Sequence, residues 1–241
     1  MTIIENCRRD LAIANRIMAR EEVVDHLGHV SARHPDRPDR FLLSQSRSPE
    51  LVTPGDIKEY DLAGSPIEEA PHPMYVERFI HAAIYRARPD VNSVAHNHAY
   101  DLLPFTIASD VKLRAVVHPA YAIGTEAPVW DFRDKFPTAT PLVLDMAQGD
   151  DLAAILGNHS VALMRNHGCV VALDSIVSTI YACVYVKVNA RIQSEATRFG
   201  GDVSYLSAVE LEAIGALYNN APHTVDRAWE YWVRRADLSG I

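Results

Sequence analysis

The sequence predicts an α/β protein whose mixed, mainly antiparallel sheet is covered by helices on both faces. Helical periodicities alternate with short strand-like runs along the chain, and several neighbouring runs are separated by turns of hairpin length. At 241 residues the chain fits one sizeable domain, 1–241, and no shift in composition marks a seam. No Gly-x-Gly-x-x-Gly or P-loop pattern occurs, which argues against a nucleotide cofactor.

Residues 3 to 20 place Ile4, Leu11, Ala14, Ile17 and Met18 at helical spacing. Residues 29 to 33 alternate as a strand, the turn His34-Pro35-Asp36 follows, and residues 41 to 44 return as a second strand. The polar loop from Ser44 to Pro49 leaves that strand where ligand contacts are often built. A further short strand spans 57 to 61. After Pro71, His72 and Pro73, residues 74 to 88 read as a helix with one apolar face, carrying Glu77 near its start. Pro89-Asp90 stops it, and a buried strand, 91 to 98, follows. Residues 99 to 109 read as helical, and 113 to 122 as extended with His118-Pro119 inside. A short helix is expected over 145 to 157, and one buried strand over 161 to 172 with a polar break at Arg165-Asn166-His167-Gly168. Asp174 or Ser175 caps a long helix to about Phe199, Gly200-Gly201 ends it, and 207 to 218 forms another. Trp229, Tyr231 and Trp232 mark the tail, from about 221, as a packing or subunit-interface segment.

The chemistry centres on His96-Asn97-His98. On a strand, residues two apart share a face, so both imidazoles are offered to one side. A chain with 11 histidines produces such a pair by chance often enough that the pair alone carries little weight. Its setting carries more, because imidazoles within Val/Ala-rich strands are costly to bury without a partner, and a metal is an efficient one. His167 offers a third imidazole and Glu77 a carboxylate.

Net charge is -8 and no basic cluster extends beyond Arg8-Arg9 and Arg234-Arg235, which argues against nucleic acid or an anionic membrane as the main partner. Cys7, Cys169 and Cys183 are too few and scattered for a disulfide framework, and they read as reduced thiols of a cytoplasmic protein. Cys169 reads as a small buried strand residue rather than a nucleophile. Neither an apolar leader nor a run of about 18 apolar residues is present, so no export and no membrane span are expected.

Gly28-His29-Val30-Ser31, Thr53-Pro54-Gly55-Asp56-Ile57, Glu77, Arg88-Pro89-Asp90, His96-Asn97-His98 and Arg165-Asn166-His167-Gly168 occur in an order that resembles the class II aldolase/adducin family, over roughly residues 5 to 220. The resemblance implies an α/β/α sandwich, a homotetramer with sites at subunit interfaces, and one divalent metal per subunit on His96, His98 and His167, with Glu77 as ligand or acid/base. Two positions depart from the family's sugar-phosphate aldolases. Those enzymes have Asn where this chain has His29, and a Ser pair where it has Tyr75-Val76, so the phosphate pocket has no counterpart here. Near the family's catalytic tyrosine stand Val117-His118, with Tyr121 three residues on.

These departures are similar to the family's decarboxylase branch, which acts on hydroxylated aromatic or heteroaromatic dicarboxylates. On that resemblance Glu77 and His118 are the candidate catalytic acids, while His29, Ser44, Arg47 and Tyr121 are candidate substrate contacts, with Arg47 pairing a second carboxylate. The metal is manganese, zinc, iron or cobalt, since the donor set suits each. The alternative is a class II aldolase acting on a non-phosphorylated hydroxy-carbonyl compound. A third reading, a non-catalytic adducin-like module, predicts lost metal ligands, whereas all three histidines and the glutamate are present.

Overall fold

A computed structural model of the chain describes residues 2–68 and 72–241. Seven strands form one sheet: β1 (His29–Arg33), β2 (Arg40–Ser44), β3 (Ile57–Asp61), β4 (Ser93–Asn97), β5 (Val129–Trp130), β6 (Val161–Met164) and β7 (Gly168–Leu173), in the order β3-β2-β1-β4-β7-β6-β5. Every pairing is antiparallel except β5 with β6. The helices are α1 (Ile3–Arg20), α2 (Arg78–Ala87), α3 (Leu103–Ile107), α4 (Met146–Leu156), α5 (Ile176–Arg198), α6 (Ala208–Asn220) and α7 (His223–Arg235).

Side chains that alternate along each strand divide the interior into two apolar layers. Val30, Leu42, Ala95, Leu163 and Val171 join α1 and α5 on one face. Phe41, Leu43, Val94, Met164 and Val170 join α2 and α4 on the other. That is the three-layer α/β/α arrangement. Among the described residues no helix is long and apolar enough to cross a membrane.

Several boundaries differ from the sequence expectation. The helix expected from 74 begins at Arg78, with Glu77 as its N-cap residue. Met74 bridges Gln45, and the Pro73 carbonyl accepts from Ser46 N–H at 2.8 Å, which holds the approach extended. Pro71 lies outside the described residues. Residues 118 to 122 are not extended: Pro119 stands in the first turn of a 3₁₀ segment, His118–Ile123. The stretch before it joins no sheet, because Asn189 and Gln193 on α5 act as its strand neighbour. Val116 N–H donates to Asn189 Oδ1 at 2.8 Å and Arg114 N–H to Gln193 Oε1 at 3.1 Å. The run from 161 to 172 is a hairpin, β6 and β7, turned through Asn166 at φ 57. Only Leu103–Ile107 of residues 99 to 109 is helical, and β5 has too few residues to produce a sequence period. The tail is α7, whose Trp232 packs 6.1 Å from Tyr181 and 6.4 Å from Tyr185 between ring centroids.

Candidate metal centre and its cavity

Four elements converge at one end of the central strands. β4 delivers His96 and, just past its end, His98. The β6–β7 turn delivers His167 beside them, because Asn97 of β4 pairs with Cys169 of β7. Glu77 arrives from above at the N-terminus of α2. Gly168 permits the closeness: a Cβ there would sit 2.2 Å from Asn97 O and 2.8 Å from His98 Cδ2.

One ligand atom from each of Glu77, His96, His98 and His167 lies within 4.8 Å of all the others. Imidazole centroids are 4.5 Å apart for His96–His98 and 4.8 Å for both other pairs. Backbone carbonyls set two of the rings: His96 Nδ1 donates to Cys169 O at 3.0 Å and His167 Nδ1 to Pro141 O at 2.8 Å. Each bond fixes the tautomer and leaves an Nε2 lone pair facing inward. Those Nε2 atoms lie 3.5 and 3.6 Å from Glu77 Oε2. Glu77 Oε1 accepts from Val143 N–H at 3.1 Å.

Electrostatics give these groups the charge states of a ligand set. Burial, followed by the charge of His96, holds His98 down to about 3 and His167 to about 4, so at neutral pH both are uncharged donors. Burial would raise Glu77, but His96, His167 and the Val143 N–H outweigh it and bring the carboxyl to about 2. Buried His96 Nε2 and both ring nitrogens of His98 have no hydrogen-bond partner among the described residues. The unpartnered buried nitrogens of His96 and His98, the uncharged rings of His98 and His167, and the ionised Glu77 carboxylate fit a divalent metal.

The cluster opens on a cavity of about 900 Å³, within the usual size for a small-molecule site. Leu27, Met74, Val76 and Leu142 give it apolar walls, and His29 and Arg47 give it polar ones. His29 reaches the cavity because β1 pairs with β4 in a register that sets His29 opposite His96. Its ring lies 4.5 Å from that of Tyr75. The Tyr75 hydroxyl donates to the Arg47 carbonyl. Arg47 Nη1 donates to both Asp56 oxygens, at 2.8 and 3.1 Å. Asp56 also accepts from Gln45 and from the Thr53 N–H and hydroxyl, so the Thr53-Pro54-Gly55-Asp56 block anchors the loop that carries Arg47. Nε and Nη2 of Arg47 have no partner among the described residues.

The remaining expected site residues lie elsewhere. Ser44 is fully buried at the end of β2, opposite Ile57, and does not line the cavity. His118 and Tyr121 join an aromatic group with Tyr218, which is 3.3 Å from His118 Nδ1 through its hydroxyl and 4.9 Å from Tyr121 between rings. Within one chain this group is apart from the cavity. Sequence reasoning missed His81, which hydrogen-bonds His29. Its one signal was a histidine on the apolar face of the helix, four residues after Glu77.

A family model described as Class II Aldolase and Adducin N-terminal domain matches residues 9–194. Decarboxylase tropJ of Talaromyces stipitatus is 32% identical, over 93% of this chain and 92% of its own length. The 3,4-dihydroxyphthalate decarboxylase of Arthrobacter keyseri is 26% identical, over 95% and 93% respectively. An aldolase II superfamily protein from Pseudomonas syringae, a solved structure, shares the fold with a TM-score of 0.78 at 23% identity, over 100% of this chain and 96% of that one.

Proposed function

The chain belongs to the class II aldolase and adducin N-terminal domain family and is a lyase, and from that premise we propose that it is a divalent-metal-dependent decarboxylase of a hydroxylated aromatic or heteroaromatic carboxylate. The observation that carries the reading is the cluster of Glu77, His96, His98 and His167, with unpartnered nitrogens, at the end of an apolar-walled cavity that also presents His29 and Arg47. The decarboxylase names of two relatives that match almost the whole chain support the same reaction class.

The reaction breaks one carbon–carbon bond: carbon dioxide leaves, the electron pair stays on the ring, and a proton takes the vacated place. A divalent metal held by the cluster would supply the positive charge that stabilises that pair on the ring's oxygen substituents. The chain's own residues do the rest. Leu142, Met74 and Val76 hold an aromatic ring and exclude water. Arg47 offers Nε and Nη2 to a carboxylate that is retained, which fixes the one that is lost. Glu77 acts through Oε2, as a ligand or as the base that accepts and passes on a proton, since Oε1 is tied to Val143. His118 and Tyr121 contribute from a neighbouring subunit, in a homotetramer whose interface includes the tail from about 221. We read the chain as one domain, 1–241, in the cytoplasm.

The aldolase alternative loses support at Tyr75. In place of the aldolases' Ser pair, this side chain presents a ring to His29 and commits its hydroxyl to Arg47. A non-catalytic adducin-like module has no use for four converging ligands.

The test is carbon dioxide release by manganese-reconstituted protein on a panel of ortho-hydroxy aromatic mono- and dicarboxylates, with a chelated control and sugar phosphates assayed for aldehyde beside it. Metal-dependent carbon dioxide is the expected result. Aldehyde without carbon dioxide would return the protein to the aldolases.

A further inference from the structure

Beneath the cavity, four side chains form a continuous hydrogen-bonded row in the layer between the sheet and α2. His29 Nδ1 is 2.7 Å from His81 Nε2, His81 Nδ1 is 2.6 Å from Ser31 Oγ, and Ser31 Oγ is 2.8 Å from the Tyr85 hydroxyl. All four are buried, at 3% exposure or less. Two come from α2, one turn apart, and two from β1, two residues apart, so each pair projects from one face of its element.

We propose that His81 is a positioning residue that holds His29 as the neutral tautomer with its hydrogen on Nε2, so that His29 meets the substrate as a hydrogen-bond donor to an anionic oxygen. The role toward substrate rests on the decarboxylase reading; the tautomer does not.

The order of protons along the row follows from the distances. Among the described residues the Tyr85 hydroxyl has one acceptor, Ser31 Oγ, so Tyr85 donates to it. The Ser31 hydrogen then has two destinations, His81 Nδ1 at 2.6 Å or Val94 O at 3.4 Å. The shorter bond takes it, since the longer one lies at the edge of hydrogen-bonding range. His81 Nδ1 is therefore an acceptor and its Nε2 carries the hydrogen. That hydrogen goes to His29 Nδ1, which leaves His29, a residue of the cavity lining, protonated on Nε2, the ring atom with no hydrogen-bond partner among the described residues. Burial, followed by the charge of His96, holds His81 down to about 3, which keeps it neutral in the row. The opposite order, with His81 Nδ1 as the donor, would turn the Ser31 hydrogen from the 2.6 Å bond to the 3.4 Å one.

This arrangement gives His29 and Arg47 one common property. Both present only donors to the cavity, His29 directly beside the candidate ligand His96, and the Asp25 carboxylate of the same lining is already taken by Leu27 N–H and Tyr100, so the site favours an anionic group next to the cluster.

The test is NMR of the full chain labelled at its histidine ring nitrogens, with and without added zinc, His29 being assigned from the His29→Asn variant. The expected spectrum has a bare Nδ1 and a protonated Nε2 at His29. His81→Gln keeps an N–H donor where His81 Nε2 stands and should preserve that pattern. His81→Leu, and Ser31→Ala should the former fail to fold, should yield both tautomers. A protonated Nδ1 in the wild-type protein, or a pattern untouched by both variants, overturns the assignment. In turnover, His81→Leu should raise KM about tenfold with a smaller change in kcat, and His81→Gln should recover most of the loss, as expected for one hydrogen bond to a charged group. An equal fall in kcat with KM unchanged would refute the donor role. Failure of the carbon dioxide assay would leave the spectra unchanged, so the two readings fail separately.

Discussion

Metal loading should stabilise this protein through four side chains, and the size of the effect follows from the site. Glu77, His96, His98 and His167 already stand within 4.8 Å of one another, and three of their buried nitrogens have no hydrogen-bond partner among the described residues. Little rearrangement separates this geometry from a ligand set, so binding energy goes into stability. A metal at about 100 times its dissociation constant stabilises the folded state by about 2.7 kcal/mol. For a domain of this size that raises Tm by about 5–11 °C. The assay is a thermal melt of chelated protein against protein with manganese, zinc, cobalt or ferrous iron. His167→Ala removes one of the four donors together with the ring seated on Pro141 O, and should lose most of the rise. His159→Ala, at an exposed position on the surface, should keep it. An undiminished rise in His96→Ala, His98→Ala and His167→Ala alike would place the metal elsewhere and refute the site.

Metal-free protein should lose stability in mild acid. Folded-state values of about 3 for His98 and about 4 for His167, against 6.5 for an ordinary imidazole, mean that the unfolded chain binds more protons over that interval. Stability therefore rises with pH from about 4 to about 6.5. Below 4.5 the depressed Glu77 carboxyl adds a further loss that continues toward its folded value of about 2. Urea midpoints flat from about pH 7 to 5 would refute this. Gly168→Ala should cost about 1–3 kcal/mol and weaken metal affinity, because its Cβ would meet Asn97 O at 2.2 Å; an unchanged Tm would show that β4 and β7 yield freely. Arg47→Ala should raise KM for an aromatic dicarboxylate about tenfold to a hundredfold, and less for the monocarboxylate. An equal effect on both would separate Arg47 from the second carboxylate.

The parts of the fold that were legible in the sequence are those with a period. Helix α1 and strands β1 to β3 were read within a residue, because Leu11, Ile17 and Met18 recur at helical spacing and the strands alternate between proline-rich turns. The convergence of His96 and His98 was legible for the same reason, since a period of two carried one residue past the end of β4 keeps both imidazoles on one side. Features set by distant partners were not. Glu77 carries a helical context in sequence, yet the bridge from Met74 to Gln45 delays the helix and makes Glu77 its cap. Residues 113 to 122 read as extended, but the part before His118 has as its neighbour a column of amide side chains on α5. Nothing local to His118 or Tyr121 says that they pack on Tyr218, about 100 residues away in sequence.

His81 connects the legible part of the site to the hidden part. Its sheet face should be apolar throughout, since Phe41, Val94, Ile80 and Ile84 share the layer. Instead His29, Ser31, His81 and Tyr85 run through it, fully buried. A buried polar row lowers stability unless every member is satisfied, because each lost partner costs about 1–3 kcal/mol. Here the inner members are satisfied by one another, and the unused hydrogen-bonding capacity falls at Nε2 of His29, at the cavity wall. Beside it, on the neighbouring strand and just past its end, the unused nitrogens of His96 and His98 fall near Glu77. At the cavity end of this face, unmet polar capacity therefore falls in two adjoining places, one suited to a cation and one to an anion. A substrate that carries an anionic group beside metal-binding oxygens satisfies both at once, and a hydroxylated aromatic dicarboxylate has that arrangement of charge.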